Sequence, residues 1–130
     1  MVCVDPARIR ELWPHVSHLA KEAMRRGDLG DYSSVNRRVL AGQMLVWIAW
    51  REPNVEAVAI TELVRTECSR SCVIVACGGT RVRRWIGLIE HIENYARDEG
   101  CDNVRIFGRK GWQRLLKDYS APKVLLEKAL

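Results

Sequence analysis

The sequence predicts an α/β fold with a mixed, mostly antiparallel central sheet, one parallel strand pair and helices on both faces. A β-branched apolar run over residues 72–77 has the length of a strand. Apolar residues at three- and four-residue steps then indicate an amphipathic helix between residues 80 and 100. A second strand pattern follows at 103–107. Such a strand-helix-strand crossover requires a parallel pair.

The N-terminal third predicts one short strand and two helices. Residues 1–4 alternate as a strand, and helical spacing runs over 6–27, where Pro14 either kinks the helix or starts a second segment. A shorter helix is predicted over 33–42. These helices precede the central strands, so they can cover one face of the sheet.

The remaining elements complete the sheet and its second layer. Residues 44–65 read as an antiparallel hairpin, with turn residues at 51–54. A last helix is predicted over 112–119 and a last short strand over 124–126. A mixed sheet with helices on both faces accommodates this order.

Composition indicates a single domain covering residues 1–130. Apolar residues make up 48% of the chain, enough for one core. The net charge of +5 favours acidic partners such as nucleic acid or a phosphorylated cofactor. The five cysteines form no pair of CxxC steps, so we expect reduced, mostly buried thiols and no metal site. No signal-peptide pattern or membrane-spanning apolar run is found.

A glycine pair after the strand at 72–77 predicts a turn that opens onto the N-terminus of the next helix. Free backbone N–H groups, the helix dipole and nearby guanidinium groups together favour a phosphate or another anion. The residues that we expect to bind it are Gly78, Gly79, Thr80, Arg81, Arg83 and Arg84. The alternative is a tight turn beside a solvated basic helix edge.

The element order and several short motifs resemble the GNAT acyltransferase fold over nearly the whole chain. The helix ending Ala96-Arg97-Asp98-Glu99-Gly100-Cys101 and the segment Trp112-Gln113-Arg114-Leu115-Leu116-Lys117-Asp118-Tyr119 resemble the second half of that family. Small GNAT-like proteins of bacteriophages and prophages resemble the chain in Trp13-Pro14-His15-Val16, Ala23-Met24-Arg25-Arg26-Gly27, Val39-Leu40-Ala41-Gly42, Ala59-Ile60-Thr61-Glu62-Leu63 and Gly108-Arg109-Lys110-Gly111-Trp112.

The resemblance implies a site for acetyl-CoA in the loop after the fourth strand. In the family, an Arg or Gln and two spaced glycines there hold the pyrophosphate. Arg84 and Gly87 match the Arg-x-x-Gly part, whereas Ile89 replaces the second small residue. The family's tyrosine, which protonates the departing thiolate, corresponds to Leu116, and leucine cannot donate a proton.

Two residues are candidates for acid-base catalysis. Glu62, late in the second strand of the hairpin, is the candidate base, and the alternative is an exposed strand carboxylate. Tyr119 is the candidate acid in place of Leu116. His91 is more typical of an exposed polar position than of a base.

Three functions follow from these observations. The departures from the family pattern favour a phage-encoded protein with a degenerate acetyl-CoA site, acting as a structural or interaction component with virion or host protein partners, in the virion or the host cytoplasm. The first alternative is an acetyl-CoA dependent N-acetyltransferase. The second is a nucleic-acid-binding accessory protein that uses Arg81, Arg83, Arg84, Arg105, Arg109, Lys110, Arg114 and Lys117. Oligomerisation stays open, because the five tryptophans suit a core or a partner surface.

Overall fold

The computed structural model describes residues 1–27, 30–108 and 110–130, and within them one five-stranded sheet forms the centre of the molecule. The strands follow one another across the sheet in chain order. They are β1 (Val2–Cys3), β2 (Leu45–Arg51), β3 (Asn54–Arg65), β4 (Arg70–Gly79) and β5 (Asn103–Ile106). Strands β1 to β4 pair antiparallel, and β4 pairs with β5 in parallel. This arrangement confirms the predicted mixed sheet.

Four α-helices accompany the sheet in the described residues. They are α1 (Ile9–Gly27), α2 (Tyr32–Leu40), α3 (Ile89–Asp98) and α4 (Gly111–Leu115). Pro14 lies inside α1 and does not divide it. The helix α3 ends at Asp98, and Gly100 follows it with a positive φ of 74°, which suits the left-handed cap predicted there.

Helices cover both faces of the sheet, as predicted. On the face covered by α3, here called the α3 face, Trp85, Ile89 and Ile92 pack with sheet residues such as Trp47 and Ile74. On the opposite face, here called the α1–α2 face, the helices pack on a second set of strand residues. That second core includes Trp13, Val16, Val39, Val58 and Ile60. The two cores arise because alternate strand residues point to opposite faces.

Between β4 and α3 the chain differs from the predicted turn and helix start. Gly78 and Gly79 are the last residues of β4, not a turn. Two short 3-10 helices follow, at Val82–Arg84 and Ile86–Leu88, so α3 begins nine residues after Thr80 rather than at it. Thr80 makes no capping hydrogen bond. The residue before the first 3-10 helix is Arg81, with a left-handed φ of 53°.

The C-terminal elements are also shorter than predicted. The helix predicted over 112–119 ends at Leu115, because Leu116 leaves the helical conformation and buries its side chain in the core of the α3 face. The strand predicted over 124–126 is absent: residues 116–130 contain no helix or strand. Val124, Leu125 and Leu126 are 72–87% exposed and therefore have no packing partner that would hold a strand.

Candidate active site

The strand β5 pairs along its whole length with only the first part of β4. Their pairing ends at Ile74 and Ile106, and β4 continues to Gly79 with no strand on that side among the described residues. The register of β3 and β4 shifts between Ile60 and Thr61, so Val75 is an extra residue in β4. A bulge of this kind bends its strand and disrupts the ladder locally. Residues 75–79 of β4 therefore have no neighbouring strand on the β5 side among the described residues.

A groove of about 390 Å³ lies on the α3 face, between the segments that follow these two strands. One wall comes from the 3-10 helix after β4 and the start of α3, and the other from the residues after β5 and α4. The lining residues are Ile86, Gly87, Ile89, Glu90, Glu93, Leu115, Leu116, Lys117, Asp118 and Tyr119. The structure therefore brings two of the predicted site residues, Gly87 and Tyr119, to the same groove.

Gly87 leaves the backbone open to a ligand. A Cβ atom at this position would meet no atom within 4 Å, and its φ does not lie in the left-handed region. The fold itself therefore does not require glycine here. A glycine on a groove wall allows a ligand to approach the backbone closely.

Tyr119 provides a bound proton on the other wall of the groove. Its Oη donates a hydrogen bond to Glu93 Oε2 at 2.6 Å. Burial and, after it, the adjacent Glu93 raise the pKa of the Tyr119 hydroxyl well above its usual value. The hydroxyl therefore keeps its proton at neutral pH. Tyr119 follows α4 in a turn, where its backbone N–H donates to Leu116 O at 3.0 Å.

The two positions that depart from the family pattern belong to the core. Ile89 is 1% exposed and Leu116 is 8% exposed, and both pack in the cluster on the α3 face. Each also contributes to the groove floor. Leu116 therefore supplies apolar surface and no proton, which leaves Tyr119 as the hydroxyl on this wall.

Gly78 and Gly79 have a packing role that the sequence did not reveal. A Cβ at Gly78 would lie 2.8 Å from Ala23 Cβ on α1, and one at Gly79 would lie 2.0 Å from the carbonyl oxygen of Glu56 on β3. Both contacts are closer than side chains tolerate. The glycine pair thus allows α1 and β3 to pack closely against the end of β4, which replaces the predicted glycine turn.

The basic residues of the loop do not gather at a helix N-terminus. The Arg84 guanidinium pairs with the Glu56 carboxylate at 3.0 Å. Arg81 and Arg83 are exposed and precede α3 by six or more residues. Neither they nor Thr80 line the groove. Of the residues considered for nucleic-acid binding, Lys117 alone among those described lines the groove, and Arg109 lies outside the described residues.

Glu62 lies on the opposite side of the sheet from the groove. Its carboxylate accepts a hydrogen bond from Arg38 of α2, and the side chain is 17% exposed. The neighbouring Thr61 points to the α3 face, where its hydroxyl accepts a hydrogen bond from Trp47 Nε1. Glu62 and Tyr119 are therefore on different faces of the sheet.

Three charged partners were missed by the sequence reasoning: Glu56, Glu93 and Arg38. Glu93 follows Ile89 by four residues on α3, and this spacing places both on one side of the helix. That signal could have identified Glu93 as a groove residue. The pairs Arg84–Glu56 and Arg38–Glu62 join residues far apart in sequence, for which one sequence carries no signal.

Neither a metal site nor a membrane span is found in the part of the chain that the structure describes. No three His, Cys, Asp or Glu side chains there are grouped as metal ligands. No helix there is long and apolar enough to cross a bilayer. All five cysteines are free: Cys72 and Cys77 are buried, Cys3 and Cys101 are partly buried, and Cys68 is exposed.

Several solved structures that superpose on this chain are described as acetyltransferases. A predicted acetyltransferase from Clostridium acetobutylicum, with acetyl-CoA, superposes with a TM-score of 0.68 at 14% identity, over 98% of this chain and 94% of that one. The chain has the GNAT fold. A GNAT family acetyltransferase from Staphylococcus aureus gives a TM-score of 0.65 at 11% identity, over 99% and 96% of the two chains.

A third similar structure is an aminoglycoside acetyltransferase from an uncultured soil metagenomic sample, in complex with sisomicin. Its TM-score is 0.67 at 12% identity, over 99% of this chain and 94% of that one. No protein-family model and no curated protein matches the chain. Identities this low establish the fold alone, and these structures give no support to a phage origin, a virion partner or a nucleic-acid partner.

Proposed function

We propose that this protein binds acetyl-CoA in the groove and acetylates an amine. One observation supports this most strongly: Gly87 and Tyr119 line a single groove whose walls are formed by the segments that follow β4 and β5. The fold is shared with a structure that contains acetyl-CoA. The proposal reverses the order of the functions expected from sequence, in which the degenerate site came first.

The described residues fit the parts of acetyl-CoA. The Gly87 backbone, which has open space in front of it, and the free edge of β4 would hold the amide-containing arm. Arg81 and Arg83 are exposed on the adjoining loop and would hold phosphate groups, with Arg84 nearby in its pair with Glu56. When bound, acetyl-CoA supplies the acetyl group: nitrogen replaces sulfur on the carbonyl carbon, and coenzyme A leaves as a thiol.

Tyr119 and Glu62 would handle the two protons of this exchange. Tyr119 Oη holds a proton in the groove, next to Glu93, and would give it to the departing sulfur. Glu62 is held by Arg38 on the opposite face, so it would accept a proton only from an amine that approaches the thioester from that face. General acid assistance of this kind contributes about 10²- to 10⁴-fold to a rate.

The release of coenzyme A thiol from acetyl-CoA, measured with a panel of amines, tests this function. We expect Tyr119→Phe to lower kcat by roughly 100-fold or more while the Kd for acetyl-CoA stays within about twofold, because only the proton is removed. Tyr32→Phe, on α2, is the matched control and should keep wild-type kcat. Full turnover by Tyr119→Phe would exclude Tyr119 as the acid.

In a second candidate function, the protein keeps the GNAT fold but does not acetylate an amine. Three carboxylates and one lysine line the groove, and this net negative charge is unfavourable to phosphates. The positions of the family's second glycine and of its tyrosine are occupied by Ile89 and Leu116, which pack in the core. The exposed apolar residues Val124 to Leu126 offer a surface for a protein partner. In this case the protein is an interaction component, of the phage or virion kind expected from sequence, and millimolar acetyl-CoA gives no thermal shift.

A further inference from the structure

An ion pair joins the strand β3 to the segment that forms one wall of the groove. The Arg84 guanidinium lies 3.0 Å from Glu56 Oε1, and the two side chains are 29% and 15% exposed. Arg84 ends the first 3-10 helix, Val82–Arg84, and the second, Ile86–Leu88, begins two residues later. The second 3-10 helix contains Gly87, which lines the groove. The ion pair is therefore made only three residues before the glycine that is open to a ligand.

The carboxylate partner occupies an irregular position of β3. The register of β2 and β3 shifts beside Glu56: Ala49 pairs with Ala57, whereas the next residue of β2 pairs with Val55. Glu56 is therefore an extra residue of β3 without a partner on β2, and a bulge of this kind can re-aim a side chain. On the side of β4, its carbonyl oxygen accepts a hydrogen bond from Thr80 N at 3.0 Å. Both the backbone and the carboxylate of Glu56 thus hold the chain that follows β4.

The residue between the two 3-10 helices fixes the same segment from the side of the core. Trp85 is 1% exposed, and its Nε1 donates a hydrogen bond to Thr80 O at 2.8 Å. Its ring centroid lies 6.4 Å from that of Trp112 on α4. A backbone that is held in place before binding loses less conformational entropy when a ligand binds to it. The buried indole and the ion pair together can keep the Gly87 backbone in such a prepared position.

The same ion pair argues against Arg84 as a ligand of phosphate groups. Neither Arg84 nor Glu56 lines the groove. A phosphate that approached the guanidinium would meet the Glu56 carboxylate, whose negative charge repels it. Withdrawal of the guanidinium would also leave a mostly buried carboxylate without its partner, which is unfavourable. Arg81 and Arg83 are exposed on the same loop and can bind phosphate without disrupting this pair.

We propose that Glu56 and Arg84 are positioning residues: their ion pair holds residues 82–88 so that the Gly87 backbone is ready for the ligand, and Arg84 itself binds no phosphate. The inference rests on the proposed function, since it assigns roles at the acetyl-CoA site. It departs from the sequence prediction, in which Arg84 contacts the cofactor. Loss of either partner should therefore weaken a ligand with phosphate groups and a ligand without them equally, because both use the same groove wall.

Two thioesters that differ in their phosphate groups test the proposal. Acetyl-CoA and S-acetylpantetheine share the acetyl group and the amide-containing arm, and only the first has phosphates. The Kd of each is measured by calorimetry with the wild-type protein, Glu56→Gln, Arg84→Gln and Arg70→Gln. Arg70 is the control because it also pairs with a glutamate, Glu99, and neither residue lines the groove. Amide hydrogen exchange of residues 82–88 is measured in the same proteins without a ligand.

We expect Glu56→Gln and Arg84→Gln to raise the Kd of both thioesters by a similar factor, about fivefold or more, and to speed exchange of residues 82–88 about tenfold. Arg70→Gln should change neither quantity. An ion pair that only stabilises the fold would leave the Kd values of the folded protein unchanged, and that result would overturn the inference. Weaker binding of acetyl-CoA alone in Arg84→Gln, or tighter binding of it in Glu56→Gln, would also overturn the inference, assign Arg84 to the phosphates and leave the proposed function intact.

The exchange measurement separates a failure of the inference from a failure of the proposed function. Absence of binding of both thioesters to the wild-type protein would contradict the proposed function. Faster exchange confined to residues 82–88 in Glu56→Gln and Arg84→Gln would then still support the positioning role of the pair. Unchanged exchange of these residues in both variants would overturn the inference whether or not the thioesters bind.

Discussion

Gly79 and Gly87, both predicted from the sequence to bind the cofactor, are expected to respond differently to substitution. At Gly79, an added Cβ would lie 2.0 Å from Glu56 O and 2.6 Å from Ala57 Cα. The strands β3 and β4 would have to move apart by roughly 1 Å to restore an ordinary contact, a strain of about 1–3 kcal/mol. The hydrogen bond from Thr80 N to Glu56 O, 3.0 Å long, would be lost with it, at about 1 kcal/mol.

Gly79→Ala should therefore lower the free energy of unfolding by about 2–4 kcal/mol, whereas Gly87→Ala should change it by less than about 0.5 kcal/mol. Urea denaturation followed by tryptophan fluorescence measures both. With a slope of about 1–3 kcal/mol per molar urea, the midpoint of Gly79→Ala should fall by roughly 1–2 M. A loss below about 1 kcal/mol at Gly79, or a loss as large at Gly87 as at Gly79, would refute the assignment of packing to one glycine and ligand access to the other.

Two further predictions concern buried groups. Burial raises the pKa of the Cys77 thiol from 9.0 to about 12. As the pH rises, this thiol therefore loses its proton in the unfolded chain before it does so in the folded protein. The free energy of unfolding should be insensitive to this thiol below about pH 8 and should fall above pH 9, by up to about 1.4 kcal/mol per pH unit. Cys77→Ala should flatten that decline and Cys68→Ala, at an exposed thiol, should not; an unchanged slope in Cys77→Ala would contradict the prediction. Thr61→Val should cost about 1–3 kcal/mol, because the buried Trp47 Nε1–H loses its acceptor at 3.0 Å, and Thr80→Val is the exposed control in the same urea titration.

The sequence predicted the sheet and its topology well, because the signals for them are local. The apolar run before Gly78 and the turn residues between β2 and β3 fix two strands and a hairpin, and the crossover over α3 can only join parallel strands. The prediction of a C-terminal strand was wrong because it too used only local signals. Apolar residues over 124–126 have strand propensity, but a strand forms only where a sheet edge and a core accept it.

The candidate site was harder to predict, because it depends on contacts between distant segments. Gly78 and Gly79 look the same in sequence as a phosphate-binding turn, and only the approach of Ala23 and Glu56 reveals their packing role. The partner of Glu62 across the sheet depends on strand register, and the bulge at Val75 shifts that register without a signal in the residues themselves. Tyr119, the candidate acid, was predicted to lie on a helix, but that helix ends before it.

Binding of acetyl-CoA to the groove is measured most directly by calorimetry with the wild-type protein, Gly87→Leu and Gly27→Leu. A Cβ atom at either glycine would meet no described atom within 4 Å, so we expect both variants to fold, but only Gly87 lines the groove. We predict wild-type binding with a micromolar Kd, which Gly27→Leu keeps and Gly87→Leu weakens at least tenfold. No heat of binding at millimolar acetyl-CoA, or equal binding by wild type and Gly87→Leu, would contradict an acetyl-CoA site in this groove.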